Sequence, residues 1–252
     1  MIVPSADRIS SKTPSAPFVD EAPYFERMKA AFSKDGQWID LTQEFCDKTE
    51  ELYYHTDHHW TTSAAYLAYL DYMKAIGRTP AFVPAQHPCA TAEGFFGTLY
   101  SKSKLYHATA DTLDYYPDLT ARMILKQGAT KQDEEIAAAA GLKDEIVDLY
   151  DESKLDTRDK YAMFLHGNNA FSRIEGRGEG KILVIKDSYA NCFVPFLTED
   201  YAQVDVIDLR SFKASVDRVM EENVYDNVLI LYNFQSYHED QNIVKLNFYN
   251  KA

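Results

Sequence analysis

The chain has 252 residues, near the upper end of what one hydrophobic core supports, and it is 46% hydrophobic and 26% charged. That balance excludes general disorder, a collagen-like rod and a disulfide-dense mini-protein, and no run approaches the roughly 18 to 20 apolar residues of a membrane span. Lys and Arg number 26 against 39 Asp and Glu, a net charge of −13 that argues against nucleic acid or an anionic membrane as a nonspecific partner.

No charged-then-apolar leader opens the sequence. Met1-Ile2-Val3-Pro4 reads instead as the end of a strand, as in a chain trimmed of an upstream leader or anchor. Residues 10–23 are rich in Ser and Pro and read as an exposed connector. Tyr24, Phe25, Met28 and Phe32 recur at helical spacing and predict a helix over 21–32. Residues 37–41 predict a strand, and Thr42 is placed to cap a short helix reaching Glu51. Thr61-Thr62-Ser63 offer N-caps for a longer helix, whose apolar stripe is Leu67, Leu70, Met73 and Ile76 and whose end is marked by Gly77.

Residues 78–180 show no repeat. They hold the loop-like Phe95-Phe96-Gly97-Thr98, an acidic Ala-rich helix over 132–140 and a polar run through Asp159. We expect one domain over 1–252, with 78–180 inserted as a mixed or helical lid across its active face. Strand-like runs follow at 182–185, 204–207 and 228–232, about 22 residues apart, with helices expected at 189–197 and 212–222. This is the pattern of βαβ units on a parallel sheet, where ligands bind beyond the carboxyl ends of the strands. Cys46, Cys89 and Cys192 are widely separated with no CxxC pair. They read as small buried hydrophobes and leave the redox compartment open.

Two segments carry candidate chemistry. In Ile185-Lys186-Asp187-Ser188-Tyr189-Ala190-Asn191 a serine follows a buried strand and opens a helix. Its hydroxyl there is either a nucleophile beside free N–H groups or a cap for those same groups. In Tyr54-His55-Thr56-Asp57-His58-His59-Trp60-Thr61, Asp57 can orient an imidazole for such a serine. The same run can equally supply zinc ligands from His55, Asp57, His58 and His59, or form a polar cluster with no chemistry. The residues alone leave these readings open.

Thr56-Asp57-His58-His59-Trp60-Thr61, together with Lys186-Asp187-Ser188-Tyr189-Ala190-Asn191 and Ile207-Asp208-Leu209-Arg210, resembles the two signature blocks of the bacterial DHHW proteins. These are similar to the SGNH-hydrolase-like proteins of alginate O-acetylation. The resemblance implies an α/β three-layer SGNH-like fold with a flavodoxin-like parallel sheet. It implies Ser188 as nucleophile, His59 as general base and Asp57 as orienting carboxylate, with His58 and Trp60 supporting them. No metal or cofactor is then needed. The backbone N–H groups of Ser188 and Tyr189 are the expected oxyanion donors, with Asn168, Asn169 and Asn233 as side-chain candidates. Lys186, Arg210 and Lys102 are weaker candidates for contact with an anionic sugar. The implied activity is a serine esterase or O-acetyltransferase acting on a cell-surface or exported polysaccharide, outside the cytoplasm and supplied by membrane acyl-transfer machinery. The alternative is a catalytically silent carbohydrate-binding or assembly protein on the same scaffold. Asp57 is further expected to raise the pKa of His59 above its ordinary value near 6.5.

Overall fold

The computed structural model describes residues 1–9, 19–31 and 36–246. Its strands are β1 (Ile2–Val3), β2 (Ala90–Phe95), β3 (Asp111–Tyr115), β4 (Arg122–Leu125), β5 (Glu145–Asp148), β6 (Phe171–Glu175), β7 (Lys181–Lys186), β8 (Gln203–Asp208) and β9 (Asn227–Asn233). The α-helices are α1 (Ala6–Ile9), α2 (Ala22–Ala31), α3 (Thr42–Cys46), α4 (Thr62–Ala75), α5 (Thr98–Ser103), α6 (Lys131–Ala139), α7 (Val194–Leu197), α8 (Val216–Glu222) and α9 (Phe234–Glu239).

Seven strands form one sheet in the order β1-β9-β7-β8-β6-β4-β5, and β2 and β3 form a separate hairpin. Strand β7 is central and pairs in parallel with β8 and β9, and β1 adds a further parallel pair at the β9 edge. Period-2 alternation sends successive β7 side chains to opposite faces. Ile182 and Val184 enter one apolar cluster with Trp60, Ala64, Ala68, Phe193 and Phe196. Leu183 and Ile185 enter another, with Phe25, Val219 and Phe234. Both faces of these strands are therefore covered, as their near-continuous apolar runs require. The result is three layers.

The sheet is mixed, which corrects the expectation of a parallel flavodoxin-like layout. Strands β6, β4 and β5 run antiparallel beyond β8, and all three come from residues 78–180. They are only four or five residues long, with partly exposed patterns that leave a weak periodic signal.

Several local expectations shift for physical reasons. Residues 37–41 form no strand, because Ile39 and Leu41 bury their side chains without pairing to a neighbour. Helix α3 ends at Cys46, and Leu41, not Thr42, sits at its N-cap. The helix expected over 189–197 divides into a 3-10 turn at Ser188–Asn191 and the short α7, which Pro195 helps to start. The one expected over 212–222 starts later, at Val216. In α4 the cap is Thr61 and Gly77 follows the helix, as expected. Its fully buried face, however, is Ala64, Ala65, Ala68, Tyr69, Tyr72 and Met73, while Leu67, Leu70 and Ile76 are only partly buried. Cys192 is buried, but Cys46 and Cys89 are exposed, and all three are free. Helix α2 spans Ala22–Ala31, whereas Phe32 and residues 10–18 of the expected connector lie outside the described residues. Among the described residues no helix is long and apolar enough to cross a membrane.

Candidate active site

Strand β7 ends at Lys186 and the chain turns at once, so Asp187 and Ser188 lie at the carboxyl edge of the sheet. Asp187 is the N-cap of this turn: its Oδ1 accepts the Tyr189 N–H at 2.9 Å. Its Oδ2 accepts the Asn233 backbone N–H at 2.9 Å and Asn233 Nδ2 at 2.5 Å, which ties the turn to the end of β9. With Asp187 serving as cap, the Ser188 hydroxyl is free to point elsewhere. It lies 2.8 Å from His59 Nε2.

The loop bearing His59 is fixed from three directions. Trp60 is fully buried and donates its Nε1–H to Tyr189 O at 2.8 Å. Asp111 accepts the His55 and Thr56 N–H groups at 2.9 and 2.8 Å. The Tyr189 hydroxyl donates to His58 O. Asp57 then closes a tight turn, accepting both the His59 N–H at 3.0 Å and His59 Nδ1 at 2.5 Å on one oxygen. A carboxylate only accepts, so Nδ1 carries the proton and Nε2 presents its lone pair to Ser188 Oγ. Ser188, His59 and Asp57 thus form one hydrogen-bonded chain across 129 residues of sequence.

The second Asp57 oxygen accepts the Thr98 N–H at 2.7 Å and the Thr98 hydroxyl at 3.0 Å, and His58 Nδ1 reaches that hydroxyl at 2.6 Å. Burial works against a charge on Asp57, but His58, His59 and the Thr98 N–H outweigh it and hold its pKa well below the usual carboxylate range. His59 goes the opposite way from the sequence expectation. Burial pushes it down to about 4, more than the hydrogen bond to Asp57 restores, and the proximity of His58 and Lys186 adds to the fall. At neutral pH the imidazole is uncharged and the carboxylate charged.

Three residues that hold this arrangement escape a motif reading. Thr98 was visible only as part of a loop, and Tyr161 carried no signal. Its ring stacks on His59 with centroids 3.8 Å apart and planes 11° apart, and its hydroxyl donates to Ser188 O at 3.2 Å. Gly97 lies where a Cβ would stand 2.2 Å from the Asp57 Cβ and Oδ2. The Gly97→Ala variant should therefore displace Asp57, lowering stability by about 1–3 kcal/mol and reducing any activity of the site. Denaturant midpoints and initial rates for the two proteins check this, and an unchanged midpoint with a full rate would refute the close packing.

The remaining sequence candidates are distributed unevenly. The Tyr189 N–H is donated to Asp187 and so leaves the set of oxyanion donors. Asn233 caps α9 and holds Asp187, and Asn169 Nδ2 is donated to Leu165 O at 2.9 Å, so both serve the local fold. Arg210 is paired with Asp208 through two contacts of 2.9 and 2.5 Å. Lys186 is 1% exposed, which removes it from direct contact with a sugar. Lys102 is exposed on α5. Asn168 is exposed, and its Oδ1 accepts from Lys186 Nζ and Asn191 Nδ2.

Asp57, His58 and His59 each place one atom suited to a metal within 4.8 Å of the others. Both nitrogens of His59 are already engaged, so an ion bound through His59 would have to break its contact with Asp57 or with Ser188.

A sequence profile described as "DHHW protein" matches residues 36–207. No curated protein matches the chain. Among solved structures, a DHHW family protein from Eubacterium siraeum is similar with a TM-score of 0.78 and 21% identity, over 98% of this chain and 80% of that one. PatB1 from Bacillus cereus gives a TM-score of 0.73 and 22% identity, over 93% and 81%. The same protein with a sulfonyl adduct gives 0.72 and 20%, over 93% and 80%.

Proposed function

The chain belongs to the DHHW family, and on that premise we propose that it is a serine esterase or O-acetyltransferase acting on a cell-surface or exported polysaccharide. The observation that carries the reading is the hydrogen-bonded chain from Asp57 through His59 to Ser188. Ser188 attacks the acyl carbon, and His59 Nε2 takes its proton while Asp57 holds the imidazolium. The alcohol leaves with that proton, and an acyl-serine remains. Water then releases the acid, or a sugar hydroxyl accepts the acyl group. The chemistry needs no metal or cofactor. The sulfonyl adduct recorded for PatB1 supports a reactive nucleophile on this type of scaffold.

In this reading the whole chain is one catalytic domain, and residues 78–180 complete its site. They contribute Thr98 to Asp57, Tyr161 to His59, and the exposed Asn168 beside Asn191. His58 and Trp60 brace the loop. The polysaccharide, the extracytoplasmic location and the membrane machinery that would deliver the acyl group follow from the resemblance to alginate O-acetylation proteins. They form part of the proposal.

The pH dependence tests the assigned base. A protonated imidazole has no lone pair for the Ser188 proton, so the rate should fall about tenfold per pH unit below the pKa of His59. With that pKa near 4, hydrolysis of a small acyl ester should stay level through the range where an ordinary histidine titrates. Initial rates with circular dichroism at each pH decide it. An acid limb centred near 6.5, with the fold intact, would show that His59 is not held down by burial.

A further inference from the structure

Lys186 ends β7 two residues before Ser188, with 1% of its surface exposed. Its Nζ donates to Asn168 Oδ1 at 2.8 Å and lies 3.6 Å from Asp208 Oδ2. A buried ammonium is costly unless paired and hydrogen-bonded, and this one spends a hydrogen bond on an exposed asparagine. Burial lowers its pKa to about 8, against the opposing pull of Asp208, so it is still mostly charged at neutral pH.

An ammonium can only donate, so the Asn168 atom facing it must be the amide oxygen. Asn191 Nδ2 approaches the same oxygen at 3.2 Å. The Asn168 amide is thereby fixed in rotation, with its NH₂ group directed away from Lys186. In a 3-10 turn the side chains of residues i and i+3 eclipse. Ser188 and Asn191 are so related, and Lys186 and Asn191, which both hold the Asn168 oxygen, flank Ser188 in the chain, so Asn168 lies beside the turn that carries Ser188.

The backbone leading to Asn168 is unusual. Leu165, His166 and Gly167 have φ of 54°, 53° and 80°, three successive residues in the left-handed region. L-residues visit that region singly and at a cost, and such conformations persist where their surroundings impose them. Here Leu165 is 3% exposed, the Gly167 N–H bonds Phe164 O at 3.0 Å, and His166 Nε2 bonds Asp148 O at 3.0 Å. A strained, pinned turn and a buried cation converge on a single exposed amide.

We propose that Lys186 is a positioning residue that acts through Asn168, presenting the Asn168 NH₂ group to the oxyanion formed when Ser188 attacks an ester. The inference rests on the serine reading above. As Ser188 Oγ bonds to the acyl carbon, the carbonyl π pair moves onto oxygen and the serine proton goes to His59. The Ser188 and Asn168 N–H groups donate to that oxygen until the C–O bond to the alcohol breaks and His59 returns the proton to the alcohol. Lys186 touches none of these atoms.

A double-mutant cycle separates positioning from general stabilisation. Asn168→Ala should lower kcat about 10²–10³-fold with little change in KM. Lys186→Met should approach that loss, and the double variant should lose little more. Asn168→Asp keeps an oxygen for Lys186 but removes the donor, so it should be as slow as Asn168→Ala. It decides the matter if Lys186→Met does not fold. The rate at which a fluorophosphonate modifies Ser188 supplies a parallel readout that needs no natural substrate. A wild-type rate in Asn168→Asp, a wild-type kcat in Lys186→Met, or multiplying losses in the double variant would overturn the inference. If the fluorophosphonate leaves wild-type Ser188 untouched, the serine reading falls and this inference with it. Labelled Ser188 with neutral Asn168 variants removes this inference alone.

Discussion

Ser188→Ala and His59→Ala should each reduce hydrolysis of a small acyl ester by about 10⁶-fold, and the double variant should lose little more. The reason is mutual dependence. Among the described residues, the basic neighbour of Ser188 Oγ is His59 Nε2 at 2.8 Å, and that nitrogen has no second hydrogen-bond partner there. Without the base the hydroxyl keeps its proton, and without the hydroxyl the base has nothing to activate, so the two losses cannot multiply. Neither change should unfold the chain. Ser188 is only partly buried, and the turn it opens is capped by Asp187. Circular dichroism on each variant provides the control, and a folded Ser188→Ala protein with its full rate would end the serine mechanism.

Asp57→Asn should cost about 10⁴-fold with the fold retained, because the substitution forces the wrong tautomer. The Thr98 N–H lies 2.7 Å from one Asp57 oxygen, and an asparagine there must turn its own oxygen toward that donor. Its NH₂ group then faces His59 Nδ1, which has to accept, and the imidazole proton moves to Nε2. The lone pair that Ser188 needs is gone. Imidazole nitrogen chemical shifts report the tautomer directly, and initial rates report its consequence. A proton still on Nδ1, with a rate near wild type, would mean that Asp57 does not set the orientation of His59.

What could be read from the sequence divides along physical lines. The three runs that became β7, β8 and β9 were legible because most of their side chains on both faces are buried, and such a strand is apolar over most of its length. Thr61 and Gly77 framed α4 because caps are local. The antiparallel strands β4, β5 and β6 were not legible, since short strands with partly exposed faces have no strong period. Asp57, His59 and Ser188 were found through compact local blocks of sequence, and the structure brings them within hydrogen-bond reach. Thr98 and Tyr161 act through contacts made across the fold, and nothing in their local sequence announces them. Burial governed the rest. The sequence suggested that Asp57 would lift the pKa of His59, but the buried imidazole is driven down instead. Lys186 looked available to an anionic ligand until its 1% exposure placed it inside.

The central claim is that Ser188 is a nucleophile activated by His59. The most direct measurement treats the wild-type and His59→Ala proteins with a fluorophosphonate, then maps the modified peptide by mass spectrometry. The account predicts a single adduct on Ser188 in the wild type and loss of that adduct in folded His59→Ala. An unmodified Ser188, or labelling of Ser188 at an equal rate without His59, would contradict it.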